Sequence, residues 1–467
     1  MTTCTALEPD LLEGFREAVG RENVIESPLE VFGYSYDASF LPLDTRTVPQ
    51  VVVRPRTTAE ISRVMVLAHR SRIPVTPRGA ASGRTGGSVP LQGGIVLALD
   101  RMTSILELDT ANMMVSAEPG VRTIDLHDHC ARQGLFFPPD PGSWKVSTLG
   151  GNIAENAGGM RAVKYGVTRD YVMGLEVVLA DGSVLETGGK AVKNVTGYDL
   201  TGLFVGSEGT LGIVSRALFR LRPLPKARGV LRVVFRTMDE ACAAVQAMLL
   251  EGVTPSAAEI MDAACLEAVA LARKTSLEAG AGACLILEID GDGPEALDAQ
   301  SRRIEAITGQ AGRIGFRAAA TREETEALWA ERRGLSSAVA AMAPNRLGED
   351  ISVPRSAFPE VVRRINAISR ATGLRIPVFG HAGDGNLHPS VLCDLADPDQ
   401  AARAHEAVDG IFKAALELGG TLSGEHGIGV SKRPYFAGAV GPVSLEAHRA
   451  VKGALDPLWI LNPGKIW

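Results

Sequence analysis

Histidine is scarce in this chain, at 8 of 467 residues, and three of the eight fall in two short glycine-rich stretches. His381 and His388 bracket the run HAGDGNLH, and His426 follows Glu425 in SGEHGIG. A turn through Gly383, Asp384 and Gly385 between two strands, Ile376–Phe379 and Ser390–Leu392, would fold the chain back and bring both imidazoles to one point. Two neutral imidazoles and a carboxylate with a fourth position open form the donor set of a catalytic zinc-like site. They equally form the two-histidine, one-carboxylate face of non-haem iron. An H-x6-H spacing is no metal signature by itself. The same residues also suit a plainer reading, in which the imidazoles cap strands and Glu425 neutralises an arginine. Both readings stand at this point. His69, His127, His129, His405 and His448 fall on predicted helices and read as ordinary surface or satisfied groups, and Asp384 as a turn stabiliser.

Two further stretches are rich in glycine. The first runs from Pro77 to Ser88 (PRGAASGRTGGS); the second from Pro138 through PPDPGS and TLGGNIAENAGG to Gly159. Glycine lets the backbone approach an anion, and successive N–H groups form a concave nest for it. Neither stretch carries the GK[ST] ending of a P-loop, and no G-x-G-x-x-G stands between a strand and a helix, so the common ATP and NAD motifs lose ground. Each alone fits a tight turn between strands; two in one region favour a phosphate-bearing ligand.

These residues must be held by a multidomain frame. A chain of 467 residues is too long for one ordinary core. Hydrophobic residues at 45% and charged residues at 22% exclude disorder. A net charge of −6 disfavours nucleic acid and anionic lipid. The six cysteines contain no CxxC pair, which argues against an iron–sulfur cluster or a cysteine-type zinc site and fits free thiols of a reducing compartment. No basic-then-apolar leader and no membrane span are read.

The first half reads as glycine-punctuated strands and short helices. Thr57 to Glu60 is a capping box opening a helix to about Arg70; strands are expected at 73–76, 95–99, 105–108 and 113–117, with a helix over 123–133. Asp181-Gly182 marks a hairpin between strands at 175–179 and 183–187. Pro223-Leu224-Pro225 reads as the main boundary. Beyond it, strands near 229–235, 257–261 and 284–290 alternate with helices at 239–250, 294–308 and 323–341. That order predicts an α+β arrangement, an antiparallel sheet with helices on one face.

The combination PRGAASGRTGGS, PPDPGS, TLGGNIAENAGG, KYGVTRDYVMGLEVVLADG, GSEGTLGIV, HAGDGNLH, SGEHGIG and NPGKI resembles, in order and over nearly the whole chain, the FAD-linked D-2-hydroxy-acid dehydrogenases. These include D-lactate dehydrogenases, glycolate oxidase flavoprotein subunits and D-2-hydroxyglutarate dehydrogenases, within the vanillyl-alcohol oxidase and p-cresol methylhydroxylase superfamily. The resemblance implies a two-subdomain FAD-binding domain of the p-cresol methylhydroxylase type over 1–224. It implies an antiparallel-sheet cap, or substrate, domain over 225–420 and a C-terminal segment over 421–467 returning to the flavin. Arg78, Gly79, Ala80, Ala81, Ser82, Gly83 and Ser88 would surround the diphosphate. Asp140, Pro141, Ser143, Thr148, Gly150, Gly151, Asn156 and Gly158 would line its other side, with Glu208, Gly209 and Ile213 toward the adenine and ribose and Asn462 returning to the flavin. Some superfamily members attach the flavin through a His or Cys in the first loop; Pro77–Ser88 has neither, so the FAD is expected to be non-covalent.

The resemblance also implies a divalent metal, Zn or Fe/Mn, on His381, His388 and Glu425. His426 is then the general base, next to a metal ligand and able to stay near neutrality. Oxidation of a 2-hydroxy acid would use metal polarisation of the hydroxyl, proton removal by His426 and hydride transfer to flavin N5. Arg332 matches the family's substrate-carboxylate arginine, although on sequence alone a surface pair with Glu331 or Glu326 fits as well. The dicarboxylate-specific branch has a lysine where this chain has Gly348, ahead of Glu349 and Asp350, which points to a small monocarboxylate such as D-lactate or glycolate. The electron acceptor is expected to lie elsewhere: an iron–sulfur subunit, an electron-transferring flavoprotein, a quinone or a cytochrome. The expected location is the cytoplasm, or the membrane periphery through a partner. A metal-dependent hydrolase, or a non-catalytic subunit with structural glycine loops, is the alternative.

Overall fold

In the computed structural model, residues 7–42 and 47–467 are described. Their elements form two compact units. One comprises the described residues up to Gly158, with Val167–Leu224 and Glu425–Trp467; the other comprises Gly159–Gly166 and Pro225–Gly424. The architecture is α+β, as the order of elements predicts.

Among the described residues the first unit contains two main sheets and a two-stranded pair, Leu135–Phe136 with Arg222–Pro223. In the smaller, Val51–Val53, Ile95–Ala98 and Val75–Arg78 run parallel, and Val24–Ile25 adds antiparallel to Val51–Val53. Helix Thr58–Ser71 packs on it, with Thr57 Oγ1 accepting from Glu60 N at 3.2 Å as the capping pattern requires. Helix Pro9–Val19 closes the same core through Leu11, Phe15 and Val19. The larger sheet is antiparallel, in the order Ile105–Asp109, Met114–Ala117, Ile213–Arg220, Val172–Val178 and Val184–Gly188. The last two strands are the hairpin that Asp181-Gly182 announces, with Asp181 Oδ1 accepting from Ser183 N.

The strand expected over 73–76 is instead Val75–Arg78. Its first residue is held by distant chain: Val75 N donates to Ile460 O, and Asn462 N donates to Val75 O.

The second unit is built on one antiparallel sheet, ordered Gly315–Ala318, Ala227–Phe235, Ala283–Gly291, Ala257–Asp262, Val378–His381, Asn386–Cys393 and Asn345–Gly348, with Ile351–Ser352 pairing Asn386–Cys393. The expectation of helices on one face is corrected here. Val230, Val234, Met261, Cys284 and Ile286 pack against helices Ala263–Arg273 and Arg322–Ala340. The intervening Leu231, Val233, Ile260, Leu285 and Leu287 are equally buried, so the opposite face is covered as well. Helices Met238–Leu250 and Pro294–Gln310 contact the sheet too. Residues 159–166 join the same sheet through Arg161–Glu288 at 2.9 Å, Lys164–Asp290, and Tyr165 Oη to Asp290 at 2.6 Å.

Among the described cysteines, Cys130, Cys242, Cys265, Cys284 and Cys393 are buried free thiols; Cys4 lies outside the described residues. Burial pushes the Cys130, Cys242 and Cys284 thiols up to about 12, so they are packing groups rather than nucleophiles.

Candidate functional site

The antiparallel register assembles the polar site of the second unit. Val378–His381 and Asn386–Cys393 form a hairpin whose pairs include Phe379 with His388 and His381 with Asn386. Asp384 Oδ1 accepts from Asn386 N and closes the turn. On the other side of Val378–His381, Glu259 is the cross-strand partner of His381. Cross-strand partners share a face, so Glu259, His381, Asn386, Phe379 and His388 project from one side of the sheet. The two imidazoles meet edge to face at 86°, with their Nε2 atoms 3.4 Å apart.

Glu259, fully buried, accepts from His381 Nδ1 at 2.5 Å through Oε1, while its Oε2 lies 2.6 Å from both Nε and Nη2 of Arg332. Burial alone raises the Glu259 carboxyl; His381 and Arg332 outweigh it and hold the group below its usual value. Arg332 also lies over the Phe379 ring at 5.0 Å. The surface pair with Glu331 or Glu326 therefore does not form; Arg333 takes Glu326 instead.

Asp350 organises the other edge. Buried, it accepts from Asn386 Nδ2 at 2.6 Å, Ser423 Oγ at 2.6 Å and Gly424 N at 3.1 Å, and lies 3.9 Å from His388 Nδ1. It thus anchors the chain up to the peptide bond that leads into Glu425. His381, His388 and Glu425 each offer one ligand atom, all within 4.8 Å of one another. The donor set fits a divalent cation: Nδ1 of His381 is engaged by a carboxylate, and its Nε2 faces the second imidazole.

The glycine stretches meet in the first unit. Pro77 and Arg78 end a strand, and a β-carbon at Gly79 would stand 2.3 Å from Thr148 Oγ1, so only glycine lets the first loop lie against the second. Thr148 caps the helix Leu149–Glu155, a short one that ends at Asn156, whose φ is 52°. Gly150 N donates to Pro119 O, and Asn156 Oδ1 accepts from Arg169 N. Asp140 is buried. Thr85 ties the first loop to the SGEHGIG loop, donating to His426 O at 3.1 Å and accepting from Val430 N at 2.7 Å. Glu208 reinforces that loop, its carboxylate accepting from Ile428 N and Gly429 N at 2.7 Å each. Asn462 Nδ2 donates to Gly87 O and Glu208 O. Two buried oxygens here, Asn462 Oδ1 and Glu155 Oε2, have no hydrogen-bond partner among the described residues. A cradle of glycine loops with such orphaned acceptors fits a large polar ligand.

Comparison with known proteins decides which ligand. A family model described as "FAD linked oxidases, C-terminal domain" matches residues 224–466, and one described as "FAD binding domain" matches residues 49–188. The chain belongs to the FAD-linked oxidases. The glycolate oxidase subunit GlcD of Bacillus subtilis (strain 168) is 42% identical over 458 residues, which span 98% of this chain and 97% of that protein. A D-lactate dehydrogenase of Anaerostipes hadrus is 34% identical over 465 residues, with 98% and 97% covered. Among solved structures, p-cresol methylhydroxylase with substrate bound aligns with a TM-score of 0.80 at 18% identity, over 98% of this chain and 96% of that one. This likeness shows the fold: the chain has the p-cresol methylhydroxylase type of architecture.

The remaining expected cofactor residues of this FAD-linked oxidase are placed as follows. Arg78 Nη1 donates to Tyr36 O at 2.8 Å, and its guanidinium lies over the Tyr34 ring. Ala81, with φ of 54°, accepts from Ala38 N. Ile213 is a core residue of the smaller sheet's cluster. Ala80, Ser82, Gly83 and Ser88 lie in the first loop and Pro141 and Ser143 in the second; Gly151 is in the helix Leu149–Glu155 and Gly209 in the turn before strand Ile213–Arg220, and Gly158 is close to Glu425: a β-carbon there would be 3.2 Å from Glu425 Oε2.

Glu259 is not among the residues the sequence points to, and Asp350 figures there only as a neighbour of Gly348. The available signal was a lone acid in the apolar run Ala257-Ala258-Glu259-Ile260-Met261; its partners are 73 and 122 residues away. Burial, then the charge of Glu208, pushes the Glu155 carboxyl well above its ordinary range. No helix among the described residues is long and apolar enough to cross a membrane.

Proposed function

We propose that this FAD-linked oxidase converts a small D-2-hydroxy acid, D-lactate or glycolate, to the 2-oxo acid. The observation that carries this reading is the convergence of His381, His388 and Glu425 beside a buried arginine, Arg332, in a flavin-linked chain. Relatives named as a glycolate oxidase subunit and a D-lactate dehydrogenase, each matched over nearly the whole chain, support it. FAD, bound without a covalent link by the two glycine loops, supplies the hydride acceptor. A divalent cation on His381, His388 and Glu425 supplies Lewis acidity toward the substrate oxygens.

The protein's own groups do the rest. Arg332 presents the guanidinium edge beyond its Glu259 contacts to the substrate carboxylate. His426, one residue past Glu425 and fixed through its carbonyl by Thr85, takes the hydroxyl proton as general base. Gly348 places no cation of its own at the far end, which favours a monocarboxylate. The electrons pass on to a partner, for which an iron–sulfur subunit, an electron-transferring flavoprotein, a quinone or a cytochrome qualifies; one relative is itself named as a subunit. We place the protein in the cytoplasm, or at the membrane edge through that partner.

The test is a dye-coupled panel of D- and L-lactate, glycolate, D-malate and D-2-hydroxyglutarate, run before and after chelation. Bleaching of the bound flavin by D-lactate or glycolate is expected. A flavin that none of these acids reduces would end the proposal.

A further inference from the structure

We infer that Glu259 is a positioning residue that ties the substrate arginine to the metal ligand His381, so that metal affinity depends on Arg332, which is not itself a ligand. The inference rests on the metal reading of His381, His388 and Glu425 and extends it.

The geometry is a closed circuit of five side chains in the second unit. Arg332 meets Glu259 at 2.6 Å, and Glu259 meets His381 Nδ1 at 2.5 Å. His381 Nε2 faces His388 Nε2 at 3.4 Å. The His388 ring lies 5.6 Å from the Phe379 ring, and Phe379 carries the Arg332 guanidinium at 5.0 Å. Two links of the circuit are held by backbone register, since Glu259 pairs with His381 and Phe379 with His388. The arginine alone comes from outside the sheet, from helix Arg322–Ala340.

A carboxylate buried on a face lined by Met261 and Ile286 is costly unless both oxygens are engaged. Here each oxygen has one job. Oε1 orients His381, which leaves Nε2 as the nitrogen turned toward the cluster; Oε2 holds Arg332. Neither contact survives alone unchanged, because loss of either partner lets the carboxylate turn toward the other. Carboxylates that hold a ligand imidazole in this way typically contribute about 10–100-fold to metal affinity. The new element is that the same carboxylate also sets the substrate-facing arginine, so metal binding and carboxylate binding share one residue and are coupled.

The test uses FAD-loaded protein stripped of metal and titrated calorimetrically with zinc(II) and, separately, with manganese(II). Glu259→Gln keeps the shape but cannot accept from both His381 and Arg332, because its amide nitrogen must face one of these donors. Its metal Kd should rise about 10–100-fold, and the KM for D-lactate should rise with it, at unchanged flavin content. Arg332→Gln should also weaken metal binding, by at least several-fold. Wild-type metal affinity in Glu259→Gln would overturn the inference. So would an Arg332→Gln protein with raised KM and unchanged metal affinity, since Arg332 would then act on substrate alone. If Glu259→Gln fails to retain flavin, Arg332→Gln decides by itself. A wild-type protein that takes up neither metal overturns the metal reading and this inference together, whereas variants indistinguishable from a metal-binding wild type overturn only the inference.

Discussion

The guanidinium of Arg346 fills the space that a side chain at Gly348 would enter: a β-carbon at 348 would stand 3.1 Å from Arg346 Nη2 and 3.2 Å from its Nε. Arg346 is fixed there by Ser390 Oγ at 2.9 Å and by Ser336 O and Oγ at 3.0 and 2.6 Å, and it lies over Phe379.

The first prediction follows from this packing. A longer acid must compete with the guanidinium for volume, so D-lactate or glycolate should be oxidised with higher kcat/KM than D-malate or D-2-hydroxyglutarate. Gly348→Lys alone should lose roughly 1–3 kcal/mol of stability through overpacking and gain little dicarboxylate activity. Gly348→Lys with Arg346→Ala should narrow the gap between the acids. Equal efficiency on lactate and 2-hydroxyglutarate in the unmodified protein would show that Arg346 itself serves as the distal cation.

Chelation should abolish turnover while leaving the flavin bound, because the glycine loops lie before Pro223 and the ligands far after it in the chain. His388→Ala should lower metal content and rate by orders of magnitude while preserving the flavin spectrum. Metal analysis and absorbance on one sample check both parts. Full activity without metal would rule the scheme out.

For His426→Ala, the maximal rate should fall about 10²–10⁴-fold, far more than substrate binding weakens. Bound FAD and metal should persist, since Thr85 holds the SGEHGIG loop through the His426 carbonyl, which the substitution keeps. Near-normal turnover with metal in place would remove His426 as the base.

Glu288 offers a pH test away from the site. Burial raises its carboxyl, but Arg161, bidentate at 2.9 and 3.1 Å, outweighs burial and leaves it below the usual value. A carboxyl lowered in the folded state contributes stability above its unfolded value near 4.5, and this is lost as pH falls through the folded value. Glu288→Gln should therefore be less stable at pH 7, by about 3–5 kcal/mol if the pair behaves as other broken buried pairs. The difference in melting temperature should shrink as pH drops below about 4. A gap constant from pH 7 to 3 would contradict this account.

By itself the sequence determined what depends on short-range chemistry. The cap at Thr57, the hairpin at Asp181-Gly182, the turn between His381 and His388 and the two glycine loops each state a local backbone requirement, legible without a partner. Their combination in order also carried the flavin-linked family. Tertiary structure alone decided what depends on register and burial. The start of strand Val75–Arg78 is held by Ile460 and Asn462, almost 400 residues later. The helices Ala263–Arg273 and Phe358–Thr372 were not read from the sequence. Ala263–Arg273 packs on a sheet buried on both faces, where period alone does not separate strand from helix, and Phe358–Thr372 packs on the helices Pro398–Glu417 and Met238–Leu250. Glu259 looked like a stray acid in an apolar strand. Only the pairing of that strand with Val378–His381, and a helix arriving over Phe379, give it His381 and Arg332 as partners. Gly348 read as a missing cation because the sequence does not show that Arg346, two residues earlier, turns back over it.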